Sequence, residues 1–252
     1  MLNSITYGTG GPPLVIAHGL FGSARNWGVI AKRLAERRQV ICVDMRNHAG
    51  SFWSDDMGYE AMAADLAEVI RPLGTVDLLG HSMGGKAAMV AALGGAPTRR
   101  LVVADIAPVP YTHTQMHFID AMERLDLESL TTRAEADAAL QKGGDGGFEF
   151  PRLLGVQPMP RAGDLGKPSG GEMAFDGMAD ILGFPDLDDA WDGEALFLSG
   201  ALSDYVSPDA RPAIKRHFPS ARFAKIPGAG HWLHAEKPRE FEAAITTFLE
   251  SP

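Results

Sequence analysis

The run Gly80-His81-Ser82-Met83-Gly84-Gly85 constrains this chain more than any other. It follows Val76-Asp77-Leu78-Leu79 and precedes Lys86-Ala87-Ala88-Met89-Val90-Ala91-Ala92-Leu93, so a strand enters a tight turn and a helix leaves it. Glycine at 80 and 84 is what such a turn requires where a Cβ would collide with the neighbouring strand or helix. The pattern is the G-x-S-x-G of a nucleophile elbow, which exposes a serine at the tip of a strained strand-to-helix turn. A buried structural serine in a chance five-residue match does not account for the two flanks. At the helix start, the Met83 N–H is positioned to meet an oxyanion formed beside Ser82.

Short apolar runs at 14–17, 40–43, 76–79, 101–104, 195–198 and 222–226 alternate with helical patterns at 27–38, 59–71, 85–93, 209–218 and 238–249. This alternation predicts an α/β fold with a mostly parallel central sheet and helices on both faces. A length of 252 residues suits one such domain with an inserted cap. The alternation breaks after Pro108, which divides the chain into a core of 1–108 and 190–252 and an inserted cap or lid at 109–189. Helices are expected there at 113–125, around 133–141 and at 175–182. Between them, 143–171 holds nine Gly and four Pro and supports no regular element. An insertion at this point overhangs the carboxyl ends of the strands, where α/β sheets keep their ligands. It reads as a lid shaping an acyl pocket, with Met116, Phe118, Met122, Phe175 and Met178 as apolar lining, in preference to a bare surface loop.

The net charge of −9, without a Lys/Arg stripe interleaved with aromatics, argues against a nucleic-acid partner and against attraction to anionic membranes. No apolar run approaches the ~20 residues of a membrane span, and no signal peptide is visible, so no integral membrane association is expected. The single cysteine, Cys42, permits no intramolecular disulfide and reads as core. A cytoplasmic monomer or small homo-oligomer acting on a small molecule is the expectation. His113 and His117 have i, i+4 spacing but no third ligand, so neither a metal nor a cofactor is expected.

A serine nucleophile needs a base, and Gly228-Ala229-Gly230-His231-Trp232 offers one in the loop after the last strand. His234 is the competitor but lacks the glycine lead-in. His217 reads as a helix-surface residue, and Asp44 and Arg46 read as a pair bracing the floor of the site. With Leu233-His234-Ala235-Glu236-Lys237-Pro238 continuing it, the histidine block joins Gly80-His81-Ser82-Met83-Gly84-Gly85-Lys86, His18-Gly19-Leu20-Phe21-Gly22-Ser23, Asp44-Met45-Arg46-Asn47-His48 and Asp105-Ile106-Ala107-Pro108, and the five resemble the α/β-hydrolase superfamily along nearly the whole chain. The nearer likeness is to small acyl-esterases of the YbfF type and their mitochondrial abhydrolase-domain relatives. Two departures stand out: Ala49 replaces a usual glycine, and the Gly/Pro-rich middle is less helical than the family's cap.

The resemblance implies an α/β-hydrolase fold with the cap after the sixth strand of the family's sheet, here the strand at 101–104. It implies an oxyanion hole built from the backbone N–H groups of Leu20 and Met83, with His18 holding the loop. For the acid, two carboxylates compete. The family's frequent G-x-x-D-x-x-V-P loop reads Gly200-Ala201-Leu202-Ser203-Asp204-Tyr205-Val206-Ser207-Pro208, which puts Asp204 one residue late. Asp105, ending the apolar strand at 101–104, is favoured, because a carboxylate there needs a partner and His231 can be it. Asp176 is a remote third. The function implied is a serine carboxylesterase for short-to-medium acyl esters, with Ser82, His231 and Asp105 as its catalytic set. Acyl-thioesterase, perhydrolase and carbon–carbon hydrolase activities would use the same groups. A non-catalytic ligand-binding protein on this fold is the alternative from another class.

Overall fold

A computed structural model describes residues 1–111 and 181–251. The helices expected at 113–125, around 133–141 and over most of 175–182, the Gly/Pro-rich stretch, His113, His117, Asp176 and the five apolar lining residues lie outside the described residues. Seven strands form one sheet: β1 (Ser4–Tyr7), β2 (Leu14–Ala17), β3 (Val40–Val43), β4 (Val76–His81), β5 (Thr98–Ala104), β6 (Glu194–Gly200) and β7 (Arg222–Ile226). Their order is β1-β3-β2-β4-β5-β6-β7, parallel throughout except that β1 runs antiparallel to β3. The edge strand β1 carries no apolar run. Its residues Ser4-Ile5-Thr6-Tyr7 alternate between exposed and half-buried, which is why the apolar signal passes over it.

The helices are α1 (Gly28–Leu34), α2 (Tyr59–Ile70), α3 (Met83–Leu93), α4 (Arg211–His217), α5 (Leu233–Glu236) and α6 (Pro238–Glu250). Short 3₁₀ turns carry the ends that a helical pattern includes: Ala24–Trp27 before α1, Arg71–Leu73 after α2 at Pro72, and Pro208–Ala210 before α4. Strand side chains alternate between two cores. Val15, Ala17, Val43, Leu78, Val103 and Phe197 pack with residues of α2, α3 and α4. Leu14, Ile16, Cys42, Leu79, Val102 and Leu198 pack with residues of α1 and α6. Both faces of the sheet are therefore covered, which explains why β2 and β3 are apolar at every position. Among the described residues, no helix is long and apolar enough to cross a membrane.

The strand order reverses between β2 and β4, so the crevice outside their carboxyl ends is the topological switch point where such sheets bind ligands. The other end of β4 does a different job. Asp77 interrupts an otherwise apolar strand, is fully buried, and accepts hydrogen bonds from Arg38 (2.5 Å) and twice from Arg99 (2.9 and 2.6 Å). Removing the carboxylate strands the buried Arg38 guanidinium. Asp77→Ala is expected to lower stability by about 3–5 kcal/mol, read as a shift in urea midpoint.

Candidate active site

Ser82 follows β4 at φ 52° and ψ −120°, a backbone conformation that L-residues rarely adopt. The ladder reaches up to it, since Ser82 N–H donates to the Ala104 carbonyl at 3.0 Å. Close packing enforces the turn. A Cβ on Gly80 would run into the Gly84 carbonyl, and one on Gly84 into the carbonyls of Ala17 and His18 at the end of β2. Asp105, one residue beyond β5, also has positive φ (53°) and donates its N–H to Leu198 of β6 at 2.9 Å.

The structure brings Ser82, His231 and Asp105 into one hydrogen-bonded chain. His231 Nε2 lies 3.1 Å from Ser82 Oγ, and His231 Nδ1 lies 2.8 Å from Asp105 Oδ2. Asp105 is fully buried. Its carboxylate also accepts the Gly200 N–H at 3.0 Å and the Ser203 hydroxyl at 2.5 Å, so each oxygen is satisfied. Asp204 is exposed. The position that a G-x-x-D loop gives to its acid faces inward here, and Ser203 fills it and donates to Asp105.

Around the serine, Gly22 N–H closes a turn onto the Gly19 carbonyl at 3.0 Å, with Phe21 at φ 62°. The turn abuts Ser82: a Cβ on Gly19 would sit 3.2 Å from Ser82 Cβ. Neither Leu20 N–H nor Met83 N–H has an acceptor among the described residues.

The sequence profile of the alpha/beta hydrolase family matches residues 14–244. The chain belongs to that family. Sn-1-specific diacylglycerol lipase ABHD11 of Danio rerio is 41% identical over 249 residues, covering 94% of this chain and 78% of that protein. Esterase YbfF of Escherichia coli K12 is 38% identical over 244 residues, covering 94% and 92%. Among solved structures, a marine microorganism esterase superposes with a TM-score of 0.86 at 37% identity, covering 98% of each chain.

Several residues that support this hydrolase's site have no role assigned from the sequence. Glu236 accepts the N–H groups of Gly230 (2.7 Å) and Trp232 (3.2 Å), clamping the loop on both sides of His231. His81 Nε2–H donates to the His231 carbonyl at 2.9 Å, and the Tyr205 ring stacks on the His231 imidazole at 4.1 Å. Lys86, buried on α3, donates from Nζ to the carbonyls of Leu182 (3.0 Å) and Gly183 and lies 4.7 Å from the Tyr111 ring centroid. Burial lowers its pKa to about 7. Arg46 does not pair with Asp44. Its Nε donates to Asp65 at 2.6 Å, while Asp44 accepts from Ala24, Asn3 and Gly50, because the two side chains serve opposite sides of the same loop. His217 is buried rather than on the surface, with Nδ1 donating to the Asp189 carbonyl at 2.9 Å.

The site is walled by neutral imidazoles. Burial lowers the pKa of His18 and of His234 to about 3, and holds His81 well below the usual histidine range. The unfolded chain therefore binds more protons below about pH 6.5, so their contribution to stability is intact above that pH and lost as pH falls. His234 stacks on Trp27 at 4.4 Å, and its buried Nδ1 has no hydrogen-bond partner among the described residues. The urea midpoint is expected to fall steadily from about pH 7 to about pH 4. His234→Phe, which keeps the stack and removes one titrating group, is expected to make that fall shallower.

Proposed function

We propose that this hydrolase is a serine carboxylesterase acting on short-to-medium acyl esters through an acyl-enzyme on Ser82. The observation that carries the reading is the Ser82–His231–Asp105 chain, at 3.1 and 2.8 Å, lying beside two backbone N–H groups without acceptors among the described residues. The esterase and lipase names of its relatives support carboxylic esters as the substrate class.

Asp105 accepts from His231 Nδ1–H, which leaves the Nε2 lone pair facing the serine. As Ser82 Oγ attacks the ester carbonyl carbon, its proton passes to His231 Nε2 and the carbonyl oxygen becomes an oxyanion. The N–H groups of Leu20 and Met83 bind that oxyanion; losing one such donor typically costs about 10²–10³ in kcat. The tetrahedral adduct then collapses. The C–O bond to the leaving alcohol breaks as His231 returns its proton to the alkoxide oxygen, leaving an ester on Ser82. Water, deprotonated by the same nitrogen, attacks that ester; the C–O bond to Ser82 Oγ then breaks as His231 returns the proton to Oγ, and the acid leaves. Asp105, fixed by the Gly200 and Ser203 donors as well, orients the imidazole and stabilises the imidazolium.

Hydrolysis of a p-nitrophenyl acyl ester series tests the reading. Ser82→Ala is expected to abolish turnover, and turnover surviving in that variant would overturn the assignment. Asp105→Asn is expected to lower kcat by about 10⁴, through the wrong imidazole tautomer, while Asp204→Asn leaves it nearly unchanged. The reverse ranking would transfer the acid role to Asp204.

A further inference from the structure

The oxyanion turn is tied to the loop after β3 by two histidines that take no part in the proton transfers above. His48 Nε2 accepts the Phe21 N–H at 3.2 Å, and its other nitrogen faces the Arg46 carbonyl at 2.8 Å. A carbonyl oxygen only accepts, so Nδ1 carries the hydrogen and Nε2 is the bare acceptor. His18 is arranged the same way. Its Nδ1–H donates to the Gly19 carbonyl at 2.7 Å, and its Nε2 accepts the Met45 N–H at 3.0 Å. The two rings meet edge to face at 5.0 Å. Burial lowers the pKa of both, in keeping with imidazoles that must stay neutral to accept.

The Gly19–Gly22 turn has two interior N–H groups, Leu20 and Phe21, and they differ in what they meet. Phe21 N–H is consumed by His48; Leu20 N–H has no acceptor among the described residues. Phe21 also holds φ 62°, which a non-glycine residue keeps only where surrounding contacts over-determine it. His48 itself is held by a rigid frame. Asn47 (φ 61°) and Ala49 (φ 45°) turn the chain on either side of it, and Asn47 exchanges hydrogen bonds with Ser54 at 2.7 and 2.6 Å.

We propose that His48 is a positioning residue that selects the oxyanion donor: by accepting the Phe21 N–H, it holds the turn in the conformation that leaves Leu20 N–H for the substrate oxygen. This rests on the serine-esterase reading above. Only the transition state carries a full charge on that oxygen, so the loss falls on kcat rather than on ester binding.

The test uses the full chain and a p-nitrophenyl ester near the best chain length, with an alkyl trifluoromethyl ketone as a probe that forms a tetrahedral oxyanion. His48→Leu removes the acceptor at similar volume, and His48→Gln restores an acceptor oxygen near the Nε2 position. We expect His48→Leu to lower kcat by about 10- to 100-fold with KM nearly unchanged, and to weaken the ketone by a similar factor. His48→Gln is expected to recover most of both. Where His48→Leu fails to melt cooperatively, His48→Asn, which keeps polarity but falls short of Phe21, is expected to show the same split. Folded variants with unchanged kcat, a loss confined to KM, or His48→Gln no better than His48→Leu would overturn the proposal. Turnover retained in Ser82→Ala marks the different failure, that of the esterase reading itself.

Discussion

Ser82 can stand at φ 52° only because α3 and the ends of β2 and β4 press together closely enough to forbid any relaxation. Such a conformation costs of the order of 1–3 kcal/mol, and the cost is offset by packing. All but one of the residues of α3 are buried, most of them alanine, glycine, methionine or valine, so the helix sits directly on the sheet. The strain is not confined to the serine. Among the described non-glycine residues with positive φ, Phe21 lies in the loop after β2, Asn47 and Ala49 after β3, Ser82 after β4 and Asp105 after β5. Backbone strain is collected in the loops at the carboxyl ends of four neighbouring strands, around the switch point.

Strand β4 shows how stability and chemistry are kept apart. At its amino end Asp77 binds Arg38 and Arg99, an ion cluster remote from the crevice. Beyond its carboxyl end, charge is scarce. Asp105 is a buried carboxylate with three protein donors, and the imidazoles of His18, His81 and His234 are neutral through burial. Fixed dipoles in a partly dry site stabilise a developing negative charge without the desolvation that a nearby cation would impose. Lys86, four residues past the serine, spends its hydrogen bonds on backbone carbonyls of 182 and 183, where the chain re-enters the core.

How much of this was legible depends on how local the cause is. The alternation of apolar runs and helical patterns shows the α/β fold, because each strand's burial on two faces is visible in its own residues. The edge strand β1 is invisible for the same reason: only one side of it is covered, and its composition is mixed. Glycines mark Ser82 and His231, since close backbone approach leaves a trace within two residues of each. Glu236 leaves none, because a glutamate that clamps a loop looks like any other glutamate at a helix end. For Arg46 the nearest acid in sequence is Asp44, whereas Asp65, on α2, is nearest in space.

The elbow, the histidine loop and the family are legible in neighbouring residues, because they rest on short-range sterics. Which carboxylate meets His231 depends on how distant segments pack. Asp105 and Asp204 lie on neighbouring strand ends, and the choice follows from the β5–β6 register and from Ser203 turning inward at the next loop. The same holds for the imidazoles of His18 and His48 beside the Gly19–Gly22 turn. Whether a histidine accepts, donates or titrates is set by the groups that packing brings to its two nitrogens, and those groups come from loops 27 residues apart in the chain.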